Sequence, residues 1–167
     1  MKAVVIDTNV LIVANGRSKQ ADEDCVLACV DALGEARTGV VLLDDMGRIL
    51  NEYMGRLSFR GQPGAGDAFF KWLFDRQADP RHCKCVRITP KSGDEEDFKE
   101  FPDDPKLAGF HRKDRKFVAV ARASRRSPRI LNAVDRDWWD FREALKVNDV
   151  LVQFLCPSAM KSSKGSS

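Results

Sequence analysis

Residues 3–12 read AVVIDTNVLI, one carboxylate and one amide set into an otherwise apolar run. Ala3 to Ile6 is the short, unbroken apolar segment of a strand covered on both faces, the pattern of parallel sheets. Asp7 then stands at its C-terminal end. A buried lone carboxylate costs several kcal/mol unless it is paired, hydrogen-bonded or bound to a cation. The strand therefore predicts an α/β fold and asks what compensates Asp7.

Outward from that strand, Val26, Cys29, Val30 and Leu33 fall at helical spacing within residues 20–37, and Gly39 ends the pattern. Val40 to Leu43 repeats the buried-strand signature, and Met46, Ile49, Leu50, Tyr53 and Leu57 trace a second helical stripe. GQPGAG, 61–66, reads as a helix–helix connection leading into the aromatic helix DAFFKWLFDRQ, and Cys85 to Ile88 as another strand. The acidic segment with Pro102 and Pro105 reads as a loop. Asp114 to Arg125 returns to helix, Arg129 to Val134 to strand, Trp138 to Leu145 to helix, and Val150 to Leu155 to a last strand. Alternation of this kind predicts a three-layer α/β/α sandwich with a mainly parallel sheet of about five strands. We expect one domain over residues 1–156 and a flexible tail from 157 to 167.

The 167 residues, 43% hydrophobic and 32% charged, suit a globular domain with a sizeable core. Five cysteines without a signal peptide or a long apolar run predict free thiols, a cytoplasmic protein and no membrane association. The net charge of +3 excludes little, but its distribution is uneven. Residues 94–104 carry seven acids and one lysine, whereas 112–129 carry eight bases and one acid. The second segment suits either a solvated face or a polyanion-binding one, with Arg112, Lys113, Arg115, Lys116 and the arginines at 122, 125 and 126 as candidate phosphate contacts.

Ligands of parallel sheets sit beyond the C-terminal strand ends where strand order reverses. Asp7 and Asp135 end the first strand and the strand RILNAV, and Asp137 follows two residues later. Asp114 opens the helix DRKFVAVARA three, four and seven residues before Phe117, Val118 and Ala121, hence on its apolar face and at its favourable dipole end. Glu52 lies at the margin of its helix's apolar stripe and equally fits an exposed ladder with Arg48 and Arg56. Each Asp also has an ordinary reading as a turn or helix cap. Convergence of four carboxylates, however, requires a cation, and an all-oxygen donor set selects Mg²⁺ or Mn²⁺ over zinc.

In order and spacing these segments resemble the PIN domain, a family of metal-dependent nucleases. VVIDTNVLI is similar to its first motif, LNEY supplies a helical Glu, DRKFVAVA a third acid, and NAVDRDW a strand ending in Asp-x-Asp. The likeness spans residue 1 to about 155. It implies a Rossmann-like sandwich that hydrolyses phosphodiesters, usually of single-stranded RNA, with DNA as the other substrate. It also implies metal binding by Asp7, Glu52, Asp114 and Asp135, catalytic through that metal, with Asp137 assisting and Thr8 and Asn9 organising the site. Where the family often has Thr or Ser, this chain has Ala133, preceded by Asn132, which becomes the candidate for that polar contact. The stretch 60–105 is longer than in compact members and implies an inserted helix and loop. Many single-domain members are toxins neutralised by an antitoxin protein; others act in RNA processing or defence, and homodimers are common.

Other features point elsewhere or nowhere. HCKC, 82–85, lacks the further ligands of a zinc site, GQPGAG lacks the Lys and Ser/Thr of a phosphate loop, Cys25 and Cys29 read as core, and Trp138 and Trp139 as packing. An Asp-nucleophile phosphotransferase would want a second acid two residues after Asp7, where Asn9 stands. A PIN-like module that has lost catalysis and binds RNA or a partner protein is the alternative from another class.

Overall fold

The structure is a computed structural model that describes residues 2–162. Strands β1 (Ala3–Ile6), β2 (Val40–Asp44) and β3 (Cys83–Val86) run parallel, β1 pairing Ala3 with Val40 and β2 pairing Val41 with Cys83. The helices between them are α1 (Thr8–Ala14), α2 (Glu23–Ala36), α3 (Arg48–Arg56) and α4 (Ala65–Asp75). An antiparallel hairpin of β4 (Pro90–Lys91) and β5 (Asp94–Phe98) follows, then α5 (Arg115–Ala123) and β6 (Arg129–Asn132). Helices α6 (Arg136–Asp140) and α7 (Arg142–Val147), strand β7 (Leu151–Phe154) and α8 (Pro157–Ser162) complete the order.

The five-stranded sheet has the order β3-β2-β1-β6-β7, parallel throughout and flanked by helices, as the alternation predicts. Strand order reverses between β1 and β6, whose register pairs Val4 with Arg129 and Ile6 with Leu131. Asp7 and Asp135 therefore leave adjacent strands at the switch point. All of β2 is buried, consistent with helices on both faces. None of the described helices is long and apolar enough to cross a membrane.

Helix α1 starts immediately after Asp7, where the apolar run TNVLIVA carries no period that separates buried helix from strand. It packs on α4 so closely that a Cβ at Gly66 would lie 2.0 Å from the Leu11 carbonyl oxygen. The buried carboxylate of Asp67 accepts from the Ser58 and Gly64 N–H groups at 2.8 and 3.1 Å, fixing the 61–66 connection. Trp138 and Trp139 pack edge-on against Phe110 and Phe154.

Several expectations need correction. The 94–104 segment is not wholly loop, because β5 lies in it, its charge matched by arginines distant in sequence. The 60–105 stretch holds, besides a helix, the edge strand β3 and the hairpin. That edge strand begins two residues before the expected Cys85 and exposes Lys84 and Cys85. Residues 138–145 are divided at Phe141 between two helices. Part of the expected tail is helix α8, with Met160 buried; residues 163–167 lie outside the described residues. The cysteines are not all free: Cys25 and Cys156 are disulfide-bonded, tying α2 to the start of α8. Cys29 and Cys83 are free, buried thiols, both pushed by burial up to about 12.

Candidate metal centre

Asp7, Asp114 and Asp135 come from the β1–α1, pre-α5 and β6–α6 junctions. One carboxylate oxygen of each lies within 4.8 Å of the other two. Three separate junctions, the first over a hundred residues from the other two, thus deliver their acids to the strand-order reversal.

Asp7 is buried, and two amides hold it. Asn9 Nδ2 and Asn132 Nδ2 both donate to Asp7 Oδ2, the latter at 3.2 Å. Asn9 also locks the reversal itself, since its Oδ1 accepts from the Ala133 and Val134 N–H groups at 2.8 and 3.3 Å. Asn132 Oδ1, the other end of the amide that touches Asp7, is buried without a hydrogen-bond partner among the described residues. An orphan buried acceptor calls for a water or a cation.

Electrostatically the cluster is unbalanced. Burial first, then the charges of Asp114, Asp135 and Glu52, hold the Asp7 carboxyl well above the carboxylate range. Burial, Asp135 and Glu52 push Asp114 up to about 7, against a smaller opposing pull from Lys116. Asp135 is raised too, chiefly by burial and further by Asp137, although the Asp137 N–H, 3.0 Å from Asp135 Oδ1, opposes this. Carboxyls that share a site cannot all ionise without added positive charge.

The remaining candidates occupy the margin. Glu52 reaches the cluster's edge, but Thr8 Oγ1 donates to its Oε2 and Lys116 Nζ donates to its Oε1 at 2.8 Å. It forms no ladder with Arg48, which instead bonds Asp44 and Glu95. Asp137 accepts from the His111 N–H at 2.8 Å and so anchors the segment leading into Asp114. Tyr53, beside Glu52 on α3, donates its hydroxyl to the Ile6 carbonyl and fixes that helix against β1.

Of the candidate phosphate contacts, Arg115 is corrected. It is buried, 3.1 Å from Asp97, bonded to the Ala108 and Phe110 carbonyls and stacked over Phe101. Arg112 is half-exposed but paired with Asp94 and Glu96, and Lys116 is largely covered by its bonds to Glu52 and the Lys113 carbonyl. Lys113 is exposed on the same rim. Arg122 lies in the last turn of α5, where it donates to the Glu100 carbonyl at 3.0 Å, and Arg125 and Arg126 follow the end of that helix, away from Asp114 at its start.

Two features escaped the sequence. Asp44 caps α3 by accepting from the Arg48 and Ile49 N–H groups at 3.1 and 2.9 Å, a role signalled by its position after a strand and before a helical stripe. Asn9's bonds to the β6 end carry no sequence signal, because they join residues 124 and 125 apart. HCKC joins no metal-like grouping among the described residues; the grouped thiols are Cys25, Cys29 and Cys156, two of them joined to each other.

The family models, curated proteins and solved structures compared with this chain include no match to it.

Proposed function

We propose that this protein is a Mg²⁺- or Mn²⁺-dependent endoribonuclease that hydrolyses single-stranded RNA. One observation carries the proposal: three carboxylates from separate elements approach within 4.8 Å at the sheet's switch point. Their all-oxygen donors, their raised pKa values and the orphan Asn132 Oδ1 beside them fit a hard divalent cation. The likeness of AVVIDTNVLI, LNEY, DRKFVAVA and NAVDRDW to PIN domains supports the same reading.

Asp7, Asp114 and Asp135 would hold the ion, with Glu52 at the edge. When bound, such an ion makes water more acidic and offsets charge developing on a phosphodiester. The chain's own contribution is positional. Asn9 and Asn132 fix Asp7, the Asp137 N–H orients Asp135, and Asp137 itself holds the turn that presents Asp114. Lys113, exposed on the rim, provides a cation for an adjacent phosphate. Thr8 and Lys116 keep Glu52 at one boundary of the site.

The test is incubation of labelled single-stranded RNA with purified protein in Mn²⁺ and in EDTA. Cleavage in Mn²⁺ alone, abolished in Asp7→Asn, is expected. Metal-independent RNA binding without cleavage, unchanged in Asp7→Asn, overturns the proposal.

A further inference from the structure

The strongest charge segregation in the sequence is folded back on itself. On the β4–β5 hairpin, Glu95 lies 3.0 Å from Arg48, while Asp94 and Glu96 both pair with Arg112, Glu96 at 3.8 Å. These three acids are solvent-facing, with the Glu95 side chain 78% exposed. One residue further, Asp97 pairs with Arg115 at 3.1 Å in a largely covered position, and Phe98 is buried. The hairpin thus has a fixed root and an acidic outer edge.

That edge borders a groove of about 340 Å³ whose walls include Arg48, Glu52, Phe98, Arg112, Lys113 and Lys116. Glu52 and Lys116 belong to the margin of the candidate metal centre, so the groove opens beside it. Its arginines are what a phosphate backbone would meet, yet hairpin carboxylates occupy Arg112 and the outer face of Arg48, whose other side is held by buried Asp44 at 3.2 Å.

We propose that the hairpin is an acidic strap over a single-stranded RNA track: Asp94, Glu95 and Glu96 hold Arg48 and Arg112 where RNA phosphates bind, and an entering strand displaces them. This rests on the ribonuclease reading and adds its regulation. Arg48 enters as an RNA contact, and an anionic ligand too short to replace both sets of ion pairs binds weakly. The Arg112 pairs and the Glu95 end of the Arg48 pair are solvent-facing, and such pairs contribute little stability, so their exchange for phosphate contacts is energetically accessible.

The test is metal-free binding of a short labelled oligouridylate in EDTA, measured across salt concentrations. The triple variant D94N/E95Q/E96Q keeps Asp97 and Phe98 in place. It should bind at least about five-fold tighter, and its log–log salt slope should steepen by about 1.4, the counterion release of two phosphate contacts on a single strand no longer offset by freed carboxylates. D24N/D31N/E35Q, which makes the same charge change on the exposed face of α2, should alter affinity less than about two-fold, with an unchanged slope. The single variants E95Q and E96Q should fall between. Equal gains in the two triple variants, no gain in either, or no RNA binding at all overturns the strap. Cleavage assays in Mn²⁺ separate the two claims: a binding gain without cleavage sinks only the nuclease, and cleavage without a gain sinks only the strap.

Discussion

Lys116 Nζ lies 2.8 Å from Glu52 Oε1, so the fourth acid of the candidate centre is held by an internal cation while the three aspartates are not. The same ammonium lowers the Asp114 pKa, placing it close enough to oppose a bound ion. Lys116→Met should release Glu52 toward the cluster and remove that opposition. Mn²⁺ affinity, measured by calorimetry, should rise several-fold; a lower or unchanged affinity would show that the pair does not compete with metal.

The raised Asp114 carboxyl has a definite pH signature. In the folded protein it ionises near pH 7, against an ordinary value of 3.8. Well below pH 3.8 the group is protonated in both states and costs nothing. As pH rises toward 7 the unfolded chain gains from ionising while the folded chain does not, so stability is lost through that window and stays lost above it. In EDTA, Asp114→Asn should therefore melt close to wild type near pH 4 and increasingly above it toward pH 7.5. Saturating Mn²⁺ should cancel or reverse the gain. A melting difference that is flat with pH in EDTA would contradict the buried, repelled carboxyl.

Asn9 joins the Asp7 carboxylate to the end of β6 through three hydrogen bonds. Asn9→Ala leaves the Ala133 and Val134 N–H groups without that acceptor and removes a donor to Asp7. The expected loss is about 2 kcal/mol of folding stability by denaturant titration, with weaker metal binding. Asn9→Asp keeps an acceptor for those two N–H groups but replaces the donor to Asp7 with a second negative charge, so in metal-free protein it should recover only part of the lost stability.

The Cys25–Cys156 disulfide closes a sequence separation of 131 residues. Reduction, or Cys25→Ser with Cys156→Ser, should lower stability by about 5 kcal/mol on chain-entropy grounds. RNA cleavage should persist, because neither residue belongs to the acid cluster. Loss of activity in a still-folded variant would tie the disulfide to the site.

The sheet was legible because Ala3 to Ile6 and Val40 to Leu43 are short, uninterrupted apolar runs alternating with helical stripes, the pattern of doubly covered parallel strands. Asp7, Asp114 and Asp135 were legible because each combines an acid with a junction or an inward helical face. Less legible was everything decided by pairing across sequence. The acidic β5 looks like loop until Arg48, Arg112 and Arg115 neutralise it, and Arg115 looks like a surface cation until Asp97 and two carbonyls bury it. Likewise, two cysteines 131 residues apart give no local sign of bonding. Glu52 fell between these cases, with its helix predictable and its partners Thr8 and Lys116 not.

Everything proposed for the site depends on Asp7, Asp114 and Asp135 sharing one divalent cation. Calorimetric titration of Mn²⁺ into metal-free protein near pH 7.5 measures that directly. Saturable binding in wild type, lost in Asp7→Asn and in Asp135→Asn while both variants remain folded, is the predicted result. No binding in wild type, or equal binding in the variants, would contradict it.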